Sequence, residues 1–133
     1  MTLEYPEDLK YLDSHEYVRI EDDEDIATIG LSAFALEELG DVVFLELPEL
    51  GDAIASGDNI GTVESVKAVS EIYAPVSGTV IDRNEMLIEQ PEAIADDPYG
   101  EGWLVKVRLD NSSEELEDAL SAEEYRAMVE PEV

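Results

Sequence analysis

No apolar run in the middle of this chain continues for more than a few residues. Pro48, Gly51, Gly57, Gly61, Pro75 and Gly78 cut residues 42–83 into short pieces rich in β-branched side chains. Punctuation at these intervals suits the strands of a small sheet. Upstream, "EYVRI" (16–20) and "IATIG" (26–30) have the same character and are joined by the acidic run Glu21 to Asp25, so they are expected to form a hairpin. "SAFALEELG" predicts a short helix, with Ser32 capping its first free amides and Gly40 ending it in the left-handed conformation. "VVFLELPELGD" returns to strand and is stopped by Pro48 and Gly51. In "WLVKVRL" (103–109), strict alternation places Trp103, Val105, Val107 and Leu109 on one face and Leu104, Lys106 and Arg108 on the other.

The tail turns helical over about 112–129. Ser112 with Glu115, and Ser121 with Glu124, have capping-box spacing, and Leu120 and Tyr125 can staple the second box. A length of 133 residues supports one domain, here spanning 1–133: mainly β, with one internal helix and a helical C-terminus.

Acids outnumber Lys plus Arg by 35 to 7, for a formal charge of −28. That field repels phosphate backbones and anionic lipid, so neither nucleic acid nor a membrane surface is an expected partner. It favours proteins that present basic patches. The N-terminus is acidic without an apolar signal core, and no run approaches membrane-spanning length, so a cytoplasmic location is expected.

Inventory limits the chemistry. Without cysteine there is no disulfide, thiolate metal site or thiol nucleophile, and any redox chemistry must come from an attached group. His15 is the only histidine, which excludes a histidine metal cluster; a solvated or core-edge role suits it better than a catalytic base. Carboxylates are too plentiful for any pair to stand out, and "GDNIG" and "YGEGW" read as turns. No catalytic set emerges.

Lys67, in "GTVESVKAVSEIYAPVSG" (61–78), is unusual in so lysine-poor a chain. An arbitrary lysine here would be an exposed partner of Glu64 or Glu71. Val63, Val66, Val69 and Ile72 recur every third residue, which a helix could use as well as a strand, and no Asn-Gly marks a tight hairpin. The β-branched bias and flanking glycines and proline favour two strands meeting at the lysine, with Gly78 serving a turn.

"VESVKAVSEIYAPVSGTV" resembles the lipoyl-lysine segment of the glycine cleavage system H protein family, and "SHEYVRI", "GDVVFLELPELGD" and "DDPYGEGWLVKV" resemble its other signatures, in the family's order. The match runs from about Lys10 to the last helix. It implies a barrel-sandwich hybrid fold in which Lys67 sits at a hairpin tip and bears lipoate in amide linkage, with Glu64 as the position read by a lipoate ligase or lipoyl/octanoyl transferase. The dithiolane would supply the sulfur chemistry that the chain lacks.

By the same resemblance the chain is a non-catalytic carrier. It accepts an aminomethyl group from the P protein, a pyridoxal-phosphate glycine decarboxylase, presents it to the tetrahydrofolate-dependent T protein, and is reoxidised by the L protein, a dihydrolipoyl dehydrogenase. Ser14, Glu16 and Glu71 match family positions lining a cleft that shelters the loaded arm, where carboxylates suit a cationic amine. Tyr17 stands where the family usually has tryptophan, and Phe34 where a helix position is often polar or histidine. A lipoyl module of a 2-oxoacid dehydrogenase would show Asp-Lys-Ala and a biotin carrier Met-Lys-Met, against Val66-Lys67-Ala68 here. A relay passing lipoate to other enzymes is the remaining alternative.

Overall fold

The computed structural model describes residues 6–12, 14–20, 26–97, 99–109 and 119–129. The expected strands form where β-branched and aromatic residues cluster: β1 (Lys10–Tyr11), β2 (Glu16–Ile20), β3 (Ile26–Leu31), β4 (Val42–Glu46), β5 (Ala53–Ile54), β6 (Asn59–Ser65), β7 (Val69–Tyr73), β8 (Gly78–Arg83) and β9 (Val105–Leu109). They pair into a six-stranded sheet, ordered β1-β2-β3-β9-β8-β5, and a three-stranded sheet, β4-β6-β7. Every pairing is antiparallel. The arrangement matches the barrel-sandwich hybrid expected for the family. The main core lies between the sheets, where Val18, Ile29, Leu45, Val63, Ile72 and Val107 are almost fully buried.

The local signals in the sequence hold at both helices they mark. In α1 (Ala33–Leu39), the Ser32 hydroxyl accepts from the Ala35 N–H, and Gly40 ends the helix at φ 78° and ψ −140°, a positive-φ backbone that favours glycine though not the left-handed helical one expected. In α3 (Ala122–Val129), Ser121 N–H donates to Glu124 Oε1 at 2.9 Å and Glu124 N–H donates to Ser121 Oγ at 3.2 Å, the reciprocal box. Those bonds, backbone first, lower the Glu124 carboxyl below its ordinary range. Tyr125 is fully buried with Leu120 packed beside it, forming with Leu9, Tyr11, Tyr17 and Ala122 a second apolar cluster under α3. The Ser112–Glu115 box and the acidic joint at 21–25 lie outside the described residues.

Three readings need correction. The chain has more than one internal helix: α2 (Glu85–Glu89) and a 3₁₀ turn over Pro91–Ala95 bury Leu87 and Ile94. Strand β9 begins at Val105, so alternation does not extend to Leu104, which is fully buried although the pattern put it with Lys106 and Arg108. Gly78 serves no turn. It lies in β8 paired with Leu109, and a Cβ there would sit 2.1 Å from the Arg108 carbonyl oxygen, so two backbones approach through the missing side chain.

Candidate functional site

Strands β6 and β7 meet at Lys67 without the glycine that a two-residue turn would use, because a side chain closes the turn. Ser65 Oγ accepts from the backbone N–H of Lys67 at 3.3 Å and of Ala68 at 3.0 Å, and donates to the Ala68 carbonyl at 3.2 Å. The Ser65 N–H donates to the same carbonyl at 2.7 Å, and the Val66 N–H donates to the Asp41 carbonyl at 3.1 Å, which ties the tip to the residue before β4. The backbone under Lys67 is therefore pinned from two sides. Its side chain is exposed, its stem passing over Gly40, where an added Cβ would be 3.6 Å from Lys67 Cε. Among the described residues Lys67 makes no ion pair with Glu64 or Glu71.

Glu64 is half-buried in β6, opposite Phe44 of β4 on one side and Val69 of β7 on the other. Beside the tip opens a cleft of about 340 Å³, reaching from Ala68 and Glu71 to Ser14, His15, Phe34 and Glu38. It begins one residue from Lys67, at Ala68. A larger groove of about 490 Å³, between Tyr11, Ser56, Tyr73 and Leu120, shares Ser14 with the cleft but is lined by no residue of the hairpin tip.

The three positions implied by the resemblance separate. Ser14 and Glu71 line the cleft, whereas Glu16 is fully buried and does not. Glu16 accepts instead from the Ser14 hydroxyl through Oε1 and from the Tyr73 N–H through Oε2, at 3.1 Å. Tyr73 also donates its hydroxyl to Glu71 Oε2, and that bond raises the phenol above its ordinary range. One tyrosine thus holds both carboxylates, one through its backbone and one through its ring. Sequence reasoning missed Tyr73; its placement two residues after Glu71, on the same face of β7, was the available signal. It also missed Glu38, which α1 sends into the cleft one turn after the apolar Phe34.

His15 is part of the cleft wall and is the one described non-glycine residue with positive φ, at 79°. The turn before β2 holds it there: its N–H donates to the Leu12 carbonyl and its carbonyl accepts from Ser32, each at 2.9 Å. Its Nδ1 lies 2.7 Å from the Tyr125 hydroxyl, which lies 2.6 Å from Ser32 Oγ. Ser32 is buried and its Oγ accepts from Ala35; in the arrangement where its proton goes to the Tyr125 oxygen, the Tyr125 proton is left for Nδ1. Burial, the larger effect, raises the Tyr125 phenol to about 12 against the lowering by Ser32, so it stays a donor at neutral pH.

In that arrangement neutral His15 carries its proton on Nε2, in a cleft whose carboxylates are Glu38 and Glu71. Nitrogen-15 spectra of this lone imidazole should show the Nε2–H tautomer dominant in the native chain and a mixed population in Tyr125→Phe. A dominant Nδ1–H form in the native protein would contradict the assignment.

The described residues contain no cluster able to hold a metal ion and no helix long and apolar enough to cross a membrane. A family model described as Glycine cleavage H-protein matches residues 9–132. The glycine cleavage system H protein of Crocosphaera subtropica is 66% identical over 132 residues, covering 99% of this chain and 98% of its own. That of Nostoc punctiforme is 64% identical over 132 residues, covering 99% and 100%. A crystal structure of a glycine cleavage system H protein from Mycobacterium marinum has a TM-score of 0.83 at 37% identity and covers 92% of this chain and 97% of its own.

Proposed function

The chain belongs to the glycine cleavage H-protein family, the lipoyl-carrying shuttles of that system, and on this premise we propose that it carries lipoate in amide linkage on Lys67 and catalyses nothing itself. The observation that carries this reading is one exposed lysine at a doubly pinned hairpin tip, beside a cleft that begins at the next residue. When bound, lipoate supplies a dithiolane that takes up the one-carbon amine unit from glycine as it is reduced. The chain's own residues do the rest. Ser65 holds the backbone of the attachment point in place. Glu71, oriented by Tyr73, and Glu38, both exposed at the cleft, offer carboxylates to a cationic cargo. Glu16 acts on the cleft indirectly, through the Ser14 hydroxyl and the Tyr73 amide.

The partners under this proposal are the glycine decarboxylase (P protein), the tetrahydrofolate-dependent aminomethyltransferase (T protein), dihydrolipoyl dehydrogenase (L protein) and a lipoate ligase or lipoyl/octanoyl transferase, all meeting one domain in the cytoplasm. The test is intact mass of the protein from its own cells, mapped by peptide, followed by glycine–bicarbonate exchange with P protein. A lipoyl mass on Lys67 with carrier-dependent exchange is the expected result. An unmodified Lys67, or exchange indifferent to the chain, would overturn the reading.

A further inference from the structure

Strand β4 carries an irregularity whose effect reaches the hairpin. Its register with β6 shifts between Val42, opposite Ser65, and Phe44, opposite Glu64, which makes Val43 an extra residue in the strand. A regular strand would bury one of two consecutive side chains. Here the shift turns both outward, Val43 at 55% and Phe44 at 45% exposure. Across the sheet, Val66 is 76% and Val69 65% exposed, on either side of Lys67. The other large apolar side chains exposed among the described residues are Leu50, Met86 and Met128, none of them on β4, β6, β7 or the tip. The register sets Phe44, Glu64 and Val69 in one row across β4, β6 and β7, with Val43 beside Phe44 and Val66 next to Lys67, so in this acidic chain the four exposed apolar groups gather as a collar at the hairpin end of the smaller sheet.

We infer that the collar of Val43, Phe44, Val66 and Val69 is the docking surface for the enzyme that acylates Lys67, a partner presenting an apolar pocket rimmed by basic side chains; this rests on the carrier reading above.

Charge selects against a second copy of this chain, since each would bring −28 to the contact, and favours a basic partner whose lysines or arginines meet Glu64 between Phe44 and Val69. Reach selects the acylating enzyme among possible partners. Every enzyme that works on the far end of the arm can stand off from the hairpin by the arm's length. The enzyme that builds the arm must bring its reacting carbon to Nζ itself, and its surface then lies against the residues next to Lys67. An aromatic anchor with aliphatic neighbours and one acid is the composition that such contacts use. In the step served, an activated acyl adenylate is attacked at its carbonyl carbon by the neutral Nζ. The C–N bond forms, the C–O bond to phosphate breaks, AMP leaves with the electron pair, and the nitrogen gives up a proton.

The test measures lipoylation of the unmodified full chain by a lipoate ligase supplied with lipoate and ATP, followed by intact mass. Phe44→Ser and Val66→Ser should each lower kcat/KM by tenfold or more, chiefly through KM, with melting temperature held. Leu50→Ser, exposed at 58% elsewhere, should match wild type. Acylation of Lys67 by a small activated ester without enzyme should be equal in all four proteins, because the tip itself is intact. Glu64→Gln should slow the ligase and flatten its salt dependence. Wild-type rates in both collar variants would overturn the inference. So would normal lipoylation with impaired glycine–bicarbonate exchange, which would assign the collar to the decarboxylase. If even the wild-type chain accepts no lipoate while the small ester labels Lys67, the carrier reading fails and this inference with it.

Discussion

Lys67→Arg should leave a folded protein that no ligase can lipoylate and that supports glycine–bicarbonate exchange no better than P protein alone. The guanidinium keeps the positive charge but stays protonated and forms no acyl amide. Because the side chain is exposed and makes no ion pair among the described residues, stability should change by no more than about 0.5 kcal/mol. The other lysines stand away from the hairpin tip. Lys10 lies in the short edge strand β1, and Lys106 is half-buried in β9 with its ammonium 5.4 Å from the Trp103 ring centre. Exchange retained by Lys67→Arg would require the carrier group to sit elsewhere.

Glu16→Ala should be the most destabilising single change at the site. Its carboxylate belongs to β2 of the larger sheet, and one of its donors, the Tyr73 N–H, to the end of β7 in the smaller one, so the group fastens the two sheets under the arm. Alanine leaves that amide and the Ser14 hydroxyl without their acceptor in a place where Glu16 is fully buried. Buried unpaired groups cost about 1–3 kcal/mol each, so a loss of about 3 kcal/mol and a fall in Tm of roughly 10 °C are expected. Glu16→Gln retains an acceptor for Tyr73, and Ser14 can turn to accept from the new amide, so about 1 kcal/mol is expected. Amide exchange at Tyr73 should quicken strongly in Glu16→Ala and slightly in Glu16→Gln. Equal protection in all three would remove the fastening role.

What could be read in the sequence was what local chemistry decides. The Ser32 cap, the Gly40 stop and the Ser121–Glu124 box each need only residues within four or five positions, and all three form where expected. The strands around Lys67 were legible from β-branching, although a three-residue repeat allowed a helix. The bonds closing their turn were hidden because Ser65 does with a side chain what Asn-Gly does with backbone. Helix α2 has five residues, too few to establish a period, so only the burial of Leu87 discloses it. Gly78 was misread because the atom that forbids its side chain, the Arg108 carbonyl oxygen, lies thirty positions away. The cleft was legible in part. Ser14 and Glu71 line the cleft beside the hairpin tip, whereas the burial of Glu16 follows from β2 facing β7, a contact between sheets that no spacing reports.

The pinned turn under Lys67 has a consequence for encounter statistics. With the backbone held by Ser65 and by the Asp41 carbonyl, only side-chain torsions would remain to an arm carried there as proposed, so its reactive end would sweep a dome of constant origin. A partner docked anywhere within that dome sees the reactive end at an effective concentration of roughly millimolar, as short flexible tethers give, however dilute the protein is. Successive enzymes then need no affinity for the arm itself. The order of visits would then be set by which surface leaves and which arrives, and loosening the pivot would dilute the arm for all of them at once.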